Sequence, residues 1–157
     1  HTISLSEELE AINLYVNLEK LRFSNRFDYH LEIDKTLDLH SIMIPPLIIQ
    51  PFIENAIWHG LMHKEGKGNL NVRIYPQNNE VVFVIEDDGI GRNMSTIYKK
   101  KSQMTYKSMG TDITKKRLQL YNLLNKSELR VVYSDLIENR GTRVEIFLPK
   151  LTTPFNR

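Results

Sequence analysis

The run Val81-Val82-Phe83-Val84-Ile85 is apolar at every position and shows no alternation between faces. A strand with one wet face alternates, so an unbroken run of this length predicts a strand at the centre of a sheet, covered on both sides. The rest of the chain has to be arranged around it. Residues 70–75 read as a partner strand, joined to 80–86 by Pro76-Gln77-Asn78-Asn79, a hairpin spacing. From Arg26 the period is two: Phe27, Tyr29, Leu31 and Ile33 alternate with Arg26, Asp28, His30 and Glu32, which marks a half-buried strand. Two further strands are expected at about 129–135 and 142–148, the second ended by Pro149.

Helices fall between these strands. Residues 4–23 carry Ser4 and Glu7 at capping-box spacing, with Leu5, Leu9, Ile12 and Val16 at helical intervals and Asn25 as a stop. A second apolar line, Leu14, Leu18 and Leu21, widens the buried face, so this helix is expected to pack on two neighbours or on another chain. A second helix is expected between Pro46 and about His63. Pro46 suits a first-turn position, and Pro51 either kinks the helix or marks its true start. Residues 111–126 form a third, with Ile113, Leu118, Leu120, Tyr121 and Leu124 in period, whereas 89–110 have no period and carry glycines at both ends. Clustered strands with helices between them predict an α+β two-layer sandwich: a mixed, mostly antiparallel sheet with helices on one face, preceded by an N-terminal helix. With 157 residues, 41% of them hydrophobic, the chain can build one core. A net charge of +2 gives no field that favours nucleic acid, and the lack of cysteine excludes thiolate chemistry and fits a reducing cytoplasm.

Two clusters carry chemistry. Asp87-Asp88-Gly89-Ile90-Gly91 directly follows the central strand. An acidic residue there can accept a hydrogen bond from an exocyclic amine such as that of adenine, and glycines beyond it let the backbone approach a ligand. Glu54-Asn55-Ala56-Ile57-Trp58-His59-Gly60 lies on the apolar second helix and places Glu54, Asn55 and His59 among buried neighbours. Burying such groups without partners is costly. The Asn55 carboxamide oxygen suits Mg²⁺, which takes one or two protein oxygens together with phosphates and water. A plain turn and a helix edge facing water are the competing readings of these two clusters taken singly. His59 and His63 are four apart, but Gly60 replaces the glutamate of the zinc-protease motif and no third ligand is evident.

Together the clusters resemble the N box and the first glycine box, D-x-G-x-G, of the GHKL (Bergerat-fold) ATPases. Ser108-Met109-Gly110 followed by Thr114-Lys115-Lys116-Arg117-Leu118 is similar to the second glycine box and its helix, and Gly141-Thr142 with Val144, Ile146 and Leu148 to the closing strand. The stretches Glu7–Phe23 and Ile44–Gly60 resemble specifically the LytS-type branch of sensor histidine kinases. The resemblance covers roughly residues 5–149. It implies an ATP-binding catalytic domain over 25–150, preceded at 1–24 by the end of a dimerisation and phosphoacceptor helical region and followed by a tail at 151–157.

That resemblance also implies roles. Asn55 would hold Mg²⁺, and Glu54 would polarise the attacking group or a water. Asp87 would hold the adenine amine, with Gly89 and Gly91 in the adjoining loop and Thr142 supporting the base. His59 would sit near the phosphates, and Ser108, Gly110 and Thr114 at the following helix N-terminus would cradle them, where unpaired amides and the helix dipole favour anions. Ser108 stands in place of the box's first glycine, Ile113 in place of its asparagine, and Trp58 where many relatives have a phosphate-facing lysine; Lys64, Lys107, Lys115 and Lys116 are the candidates to replace that charge. The segment from Arg92 to Met109 is expected to act as a lid ordered by Mg²⁺ and nucleotide. The implied partners are an upstream phosphoacceptor histidine segment, a response regulator and a second copy through the N-terminal helix, with no nucleic acid. The implied setting is a cytoplasmic domain of a parent anchored in the inner membrane. None of His1, His30, His40, His59 and His63 has an acceptor context. Two rival readings are a GHKL ATPase of another kind and a docking module without turnover.

Overall fold

The computed structural model describes residues 2–94, 97, 105–125 and 128–150, the side chains of 105–112, 124–125 and 139 excepted. Its strands are β1 (Ile3–Ser4), β2 (Phe27–Ile33), β3 (Met43–Ile44), β4 (Gly68–Gln77), β5 (Glu80–Asp87), β6 (Arg130–Asp135) and β7 (Thr142–Pro149). Five of them form one sheet in the order β2-β4-β5-β7-β6, and β1 and β3 form a small separate ladder. Only β2 and β4 pair in parallel within the main sheet. The apolar run does lie in its middle strand. Along β5, Val81, Phe83 and Ile85 face the helical layer with Val72, Ile74, Ile146 and Leu148. Val82 and Val84 face the other way and are equally buried. Their neighbours in register, Tyr75, Arg73, Phe147 and Glu145, cover them, and Arg143 ties that face together through Glu86 (2.6 Å) and Glu145 (3.0 Å). Long charged side chains thus shield apolar surface with their stems.

Helix α1 (Leu5–Arg22) starts with both halves of the capping box: Glu7 N–H donates to Ser4 Oγ at 3.2 Å, and Ser4 N–H to Glu7 Oε2 at 2.7 Å. Leu5, Leu9, Ile12 and Val16 enter the common core, so α1 packs as a layer of the same body. The second apolar line does not: Leu14, Leu18 and Leu21 are 68%, 66% and 72% exposed. Among the described residues it has no cover. Glu8 on the buried face accepts from Leu47 N–H (2.9 Å) and Ile49 N–H (3.1 Å), and these charge-assisted bonds stand in for the water a buried carboxylate gives up.

The second helix begins directly after these two amides. Helix α2 spans Gln50–Asn55, with Pro51 in its first turn. Pro51 is therefore the start, and Pro46 lies outside the helix, ahead of Leu47 in a left-handed conformation (φ 58°). After Asn55 the helix widens into a π turn, Ala56–Gly60, and tightens into a 3₁₀ turn, Leu61–His63. Helix α3 spans Thr105–Asn125, not 111–126. Ser108 and Gly110 consequently sit inside it rather than ahead of its N-terminus, which corrects the expected cradle. Residues 95–96 and 98–104 of the expected lid, and the tail at 151–157, lie outside the described residues.

Candidate functional site

A cavity of about 560 Å³ opens between the helix-facing side of the sheet and the helices, lined among others by Asn55, His59, Gly60, Asp87, Gly91, Thr114, Tyr133 and Thr142. Strand register builds one wall. Thr142 on β7 is the register partner of Asp87 on β5 and of Asp135 on β6, and Ile85, Val144 and Tyr133 form the next row inward. Asp87 is 5% exposed and accepts from Gly89 N–H at 3.0 Å. Burial pushes its carboxyl up to about 7, and the charge of Asp88 adds to this, while the Gly89 amide and Lys64 oppose it.

Glycines make that wall possible. A Cβ on Gly60 would strike the Asp87 carboxylate, one on Gly89 would strike the Gly60 backbone, and one on Gly141 would strike the Asp87 carbonyl. Ile90 N–H also reaches Gly60 O at 3.3 Å, so the turn after α2 and the loop after β5 pack backbone against backbone. Gly91 (φ 77°) and Gly141 (φ 124°) hold conformations that favour glycine. Gly60 and Gly141 were not singled out for this from the sequence, because each touches a strand end far away in the chain.

The helical side is shared by α3, through Thr114, Lys115 and Leu118, and the π turn. The wider pitch of that turn lets Ala56, His59 and Gly60 join Asn55 on the cavity. Glu54 faces elsewhere, into a second cavity of about 290 Å³ lined also by Leu47, Gln50, Pro51, Trp58, Ile113 and Arg117. Gln50 Nε2 donates to Glu54 Oε1 at 3.1 Å. Asn55, His59 and Thr114 line both cavities and form the wall between them. Trp58 belongs to the second cavity only. Of the lysines weighed as replacements for it, Lys115 lines the larger cavity, whereas Lys64 pairs with Asp88 at 2.9 Å. Lys116 is exposed and lines neither cavity, and the Lys107 side chain lies outside the described residues.

Three further lining residues were missed by sequence reasoning. Arg92, just past Gly91, makes a two-pronged pair with Asp135 (2.7 and 3.0 Å) and lies 6.0 Å from the Tyr133 ring. Tyr133 in turn packs at 6.4 Å on Phe52. This closes one rim of the cavity with an aromatic wall and a guanidinium, from residues too far apart in the chain to form a motif. Of the expected site residues, Asn55, His59, Asp87, Gly91, Thr114 and Thr142 converge on the larger cavity, and Glu54 stands in the smaller one. Gly89 acts behind the wall, against Gly60. Ser108 and Gly110 have described backbone only. Among the described residues no group of three or more His, Cys, Asp and Glu is placed to hold a metal. No described helix is long and apolar enough to cross a membrane.

No family model matches the chain. The protein YwpD of Bacillus subtilis, itself described as uncharacterised, is 42% identical over 89 residues, which are 56% of this chain and 31% of that one. The sensor protein LytS of Bacillus cereus is 27% identical over 150 residues, 94% of this chain and 25% of that one. The chain thus spans about a quarter to a third of the length of these relatives. Among solved structures, the catalytic domain of the histidine kinase ThkA matches with a TM-score of 0.62 at 11% identity, covering 96% of both chains. The same kinase in complex with the response regulator TrrA matches at 0.60 with 14% identity, over 96% of this chain and 41% of that one. At such identities the structural likeness establishes the fold, a mixed sheet under a helical layer.

Proposed function

We propose, on the premise that this chain is the catalytic domain of a LytS-type sensor histidine kinase, that it binds Mg²⁺-ATP in the larger cavity and presents the γ-phosphoryl to a histidine entering through the smaller one. The observation that carries this is the shared wall. Asp87 and Glu54 belong to different chambers, and Asn55, His59 and Thr114 stand between them. A donor nucleotide and an acceptor side chain need two adjoining sites that meet at the transferring phosphorus.

Asp87 accepts the adenine amine, with Thr142 beside it on β7 and Tyr133 offering its ring to the base. The triphosphate runs toward His59, Thr114 and Lys115. The Asn55 carboxamide is a suitable single protein oxygen for Mg²⁺, because the remaining ligands of that ion are phosphates and water. When bound, Mg²⁺ supplies neutralisation of phosphate charge. In the transfer, the bond from the γ-phosphorus to the β–γ bridging oxygen breaks, a phosphorus–nitrogen bond to the acceptor imidazole forms, and ADP leaves. Glu54 faces the acceptor side and takes or orients the imidazole proton. The acceptor histidine belongs to an upstream segment of the parent, α1 being the end of that helical region. A response regulator receives the phosphoryl group next, a partner kind supported by the ThkA complex. The parent is membrane-anchored, with this domain on the cytoplasmic side.

Calorimetry with a non-hydrolysable ATP analogue and Mg²⁺ tests the nucleotide. Asp87→Asn should weaken binding by about 10- to 150-fold, the loss of a charge-assisted hydrogen bond. Equal affinity in the two proteins would remove adenine from this site. Incubated with radiolabelled ATP, the chain alone should acquire no acid-labile, base-stable label, and such a label on any of its histidines contradicts the separate acceptor.

A further inference from the structure

Trp58 lies between Asn55 and His59 in the chain, on the same π turn, yet its indole leaves the nucleotide cavity. Nε1 donates to Tyr15 Oη at 3.2 Å. The indole packs edge-on against Phe23 with centroids 5.2 Å apart, and the Arg22 guanidinium lies 4.7 Å from it. Tyr15 and Arg22 are on α1, and Phe23 caps its C-terminal end. Residues at i, i+7 and i+8 share one helical face, so the end of α1 holds a single indole by three contacts at once. None of the three lines either cavity.

We propose that Trp58 is a positioning residue that couples α1 to the nucleotide cavity, its bond to Tyr15 and its packing on Phe23 and Arg22 setting the π turn that follows Asn55 and carries His59. This rests on the nucleotide reading above and adds to it a remote element that governs affinity. Burial pushes the Tyr15 hydroxyl pKa up, so it stays a neutral partner with a lone pair for the indole N–H. A π turn is a local register choice. Its return to regular α-helix would turn the residues beyond it by ~100°, the angle per residue of a helix. A displacement of the end of α1 therefore acts on a two-state element and reaches His59 through one rigid ring. Coupling is reciprocal, so nucleotide must bias α1 as α1 biases nucleotide.

Trp58 is the one tryptophan of the chain, and its emission reports on this contact directly. The probe is a non-hydrolysable ATP analogue with Mg²⁺, titrated by calorimetry in every protein and by emission in those that keep Trp58, well below each variant's unfolding midpoint. Three results are expected. The emission of Trp58 shifts on binding with the calorimetric midpoint, and the amides of α1 from Tyr15 onward exchange more slowly with nucleotide. Tyr15→Phe, which removes one hydroxyl outside both cavities, weakens binding by about two- to fivefold. Trp58→Phe weakens it similarly, and the double variant is no worse than either single one, the non-additivity of a shared contact. Tyr15→Phe binding as tightly as the unmodified chain, while Asp87→Asn loses affinity, overturns the coupling and leaves the nucleotide site standing. A loss of thermal stability in Tyr15→Phe with affinity unchanged also overturns it, since that is what a merely structural contact gives. Absence of binding to the unmodified chain overturns both readings.

Discussion

The two walls of the larger cavity are built on different principles. The sheet wall is local and closed. Asp87, Thr142 and Tyr133 are set by strand register, and Gly60, Gly89 and Gly141 pack so closely that a single methyl group does not fit. The helical wall is a broken helix whose start is held by Glu8 and whose π turn is gripped by Tyr15, Arg22 and Phe23 of α1. One wall recognises through fixed geometry, and the other takes its geometry from an element outside the cavity. That division suits a site in which the base has to be held constantly and the phosphates only at the right moment.

The largest effect expected of the sheet wall is a dependence on pH. Asp87 has its carboxyl raised from 3.8 to about 7, chiefly by burial. A group raised on folding contributes stability that is fully present below the unfolded value and is lost as pH rises through the folded one. From about pH 4 to above pH 7 this carboxyl alone should remove on the order of 4 kcal/mol from the stability of the nucleotide-free chain. Urea unfolding of the chain and of Asp87→Asn across that range isolates it: the difference between the two proteins should grow with pH and level off above 8. Nucleotide affinity should move the other way, tightening as pH rises through about 7, because the amine needs the carboxylate. A difference between the two proteins that stays flat with pH would mean that this wall is wet.

Gly89→Ala tests the packing behind Asp87. The added Cβ meets the Gly60 backbone, which has no rotamer to yield. About 3 kcal/mol of destabilisation is expected, in the upper range for overpacking, read as a lowered urea midpoint. Loss of less than about 1 kcal/mol would show that the sheet wall is as adjustable as the helical one.

Much of this molecule can be read from its residues, and what cannot shares one cause. The uninterrupted Val81–Ile85 run and the Ser4/Glu7 box are local statements, and both hold in the fold; Asp87 and Gly91, close in the chain, both line the larger cavity. Pro46 and Pro51 both suit a helix start; the helix begins at Gln50, directly after amides that donate to Glu8, a side chain 39 and 41 residues away in the chain. Gly110 reads as a break, yet α3 runs through it from Thr105, as helices can at a cost of about 1 kcal/mol for a glycine. The Arg92–Asp135 pair spans 43 residues and has no local signature. Leu14, Leu18 and Leu21 are apolar and periodic as a buried face should be, yet they are exposed in the single chain. Periodicity reports that a face is apolar and does not say what covers it.

Glu8→Gln carries the smallest of these effects and separates the two walls. The carboxylate accepts from both Leu47 and Ile49 N–H groups at 1% exposure. An amide of the same shape offers one oxygen and turns an NH₂ group toward the other donor, so one charge-assisted bond is lost and a backbone N–H loses its acceptor. That should cost about 1.5–3 kcal/mol. The strain falls on the 47–49 segment and the first turn of α2, so the helical wall should move: Trp58 emission should change and nucleotide affinity should fall modestly. The hydrogen bonds of Glu8 among the described residues run to Leu47 and Ile49, not to the sheet wall, and the Asp87 carboxyl, followed by carboxyl-carbon NMR, should keep its raised titration, about 7. If Glu8→Gln shifts that titration, the two walls move as one body and the separation drawn above fails. If it leaves both Trp58 and Asp87 untouched, the grip of α1 on this part of α2 has no bearing on the site, and any coupling must run through the contacts of Tyr15, Arg22 and Phe23 with Trp58.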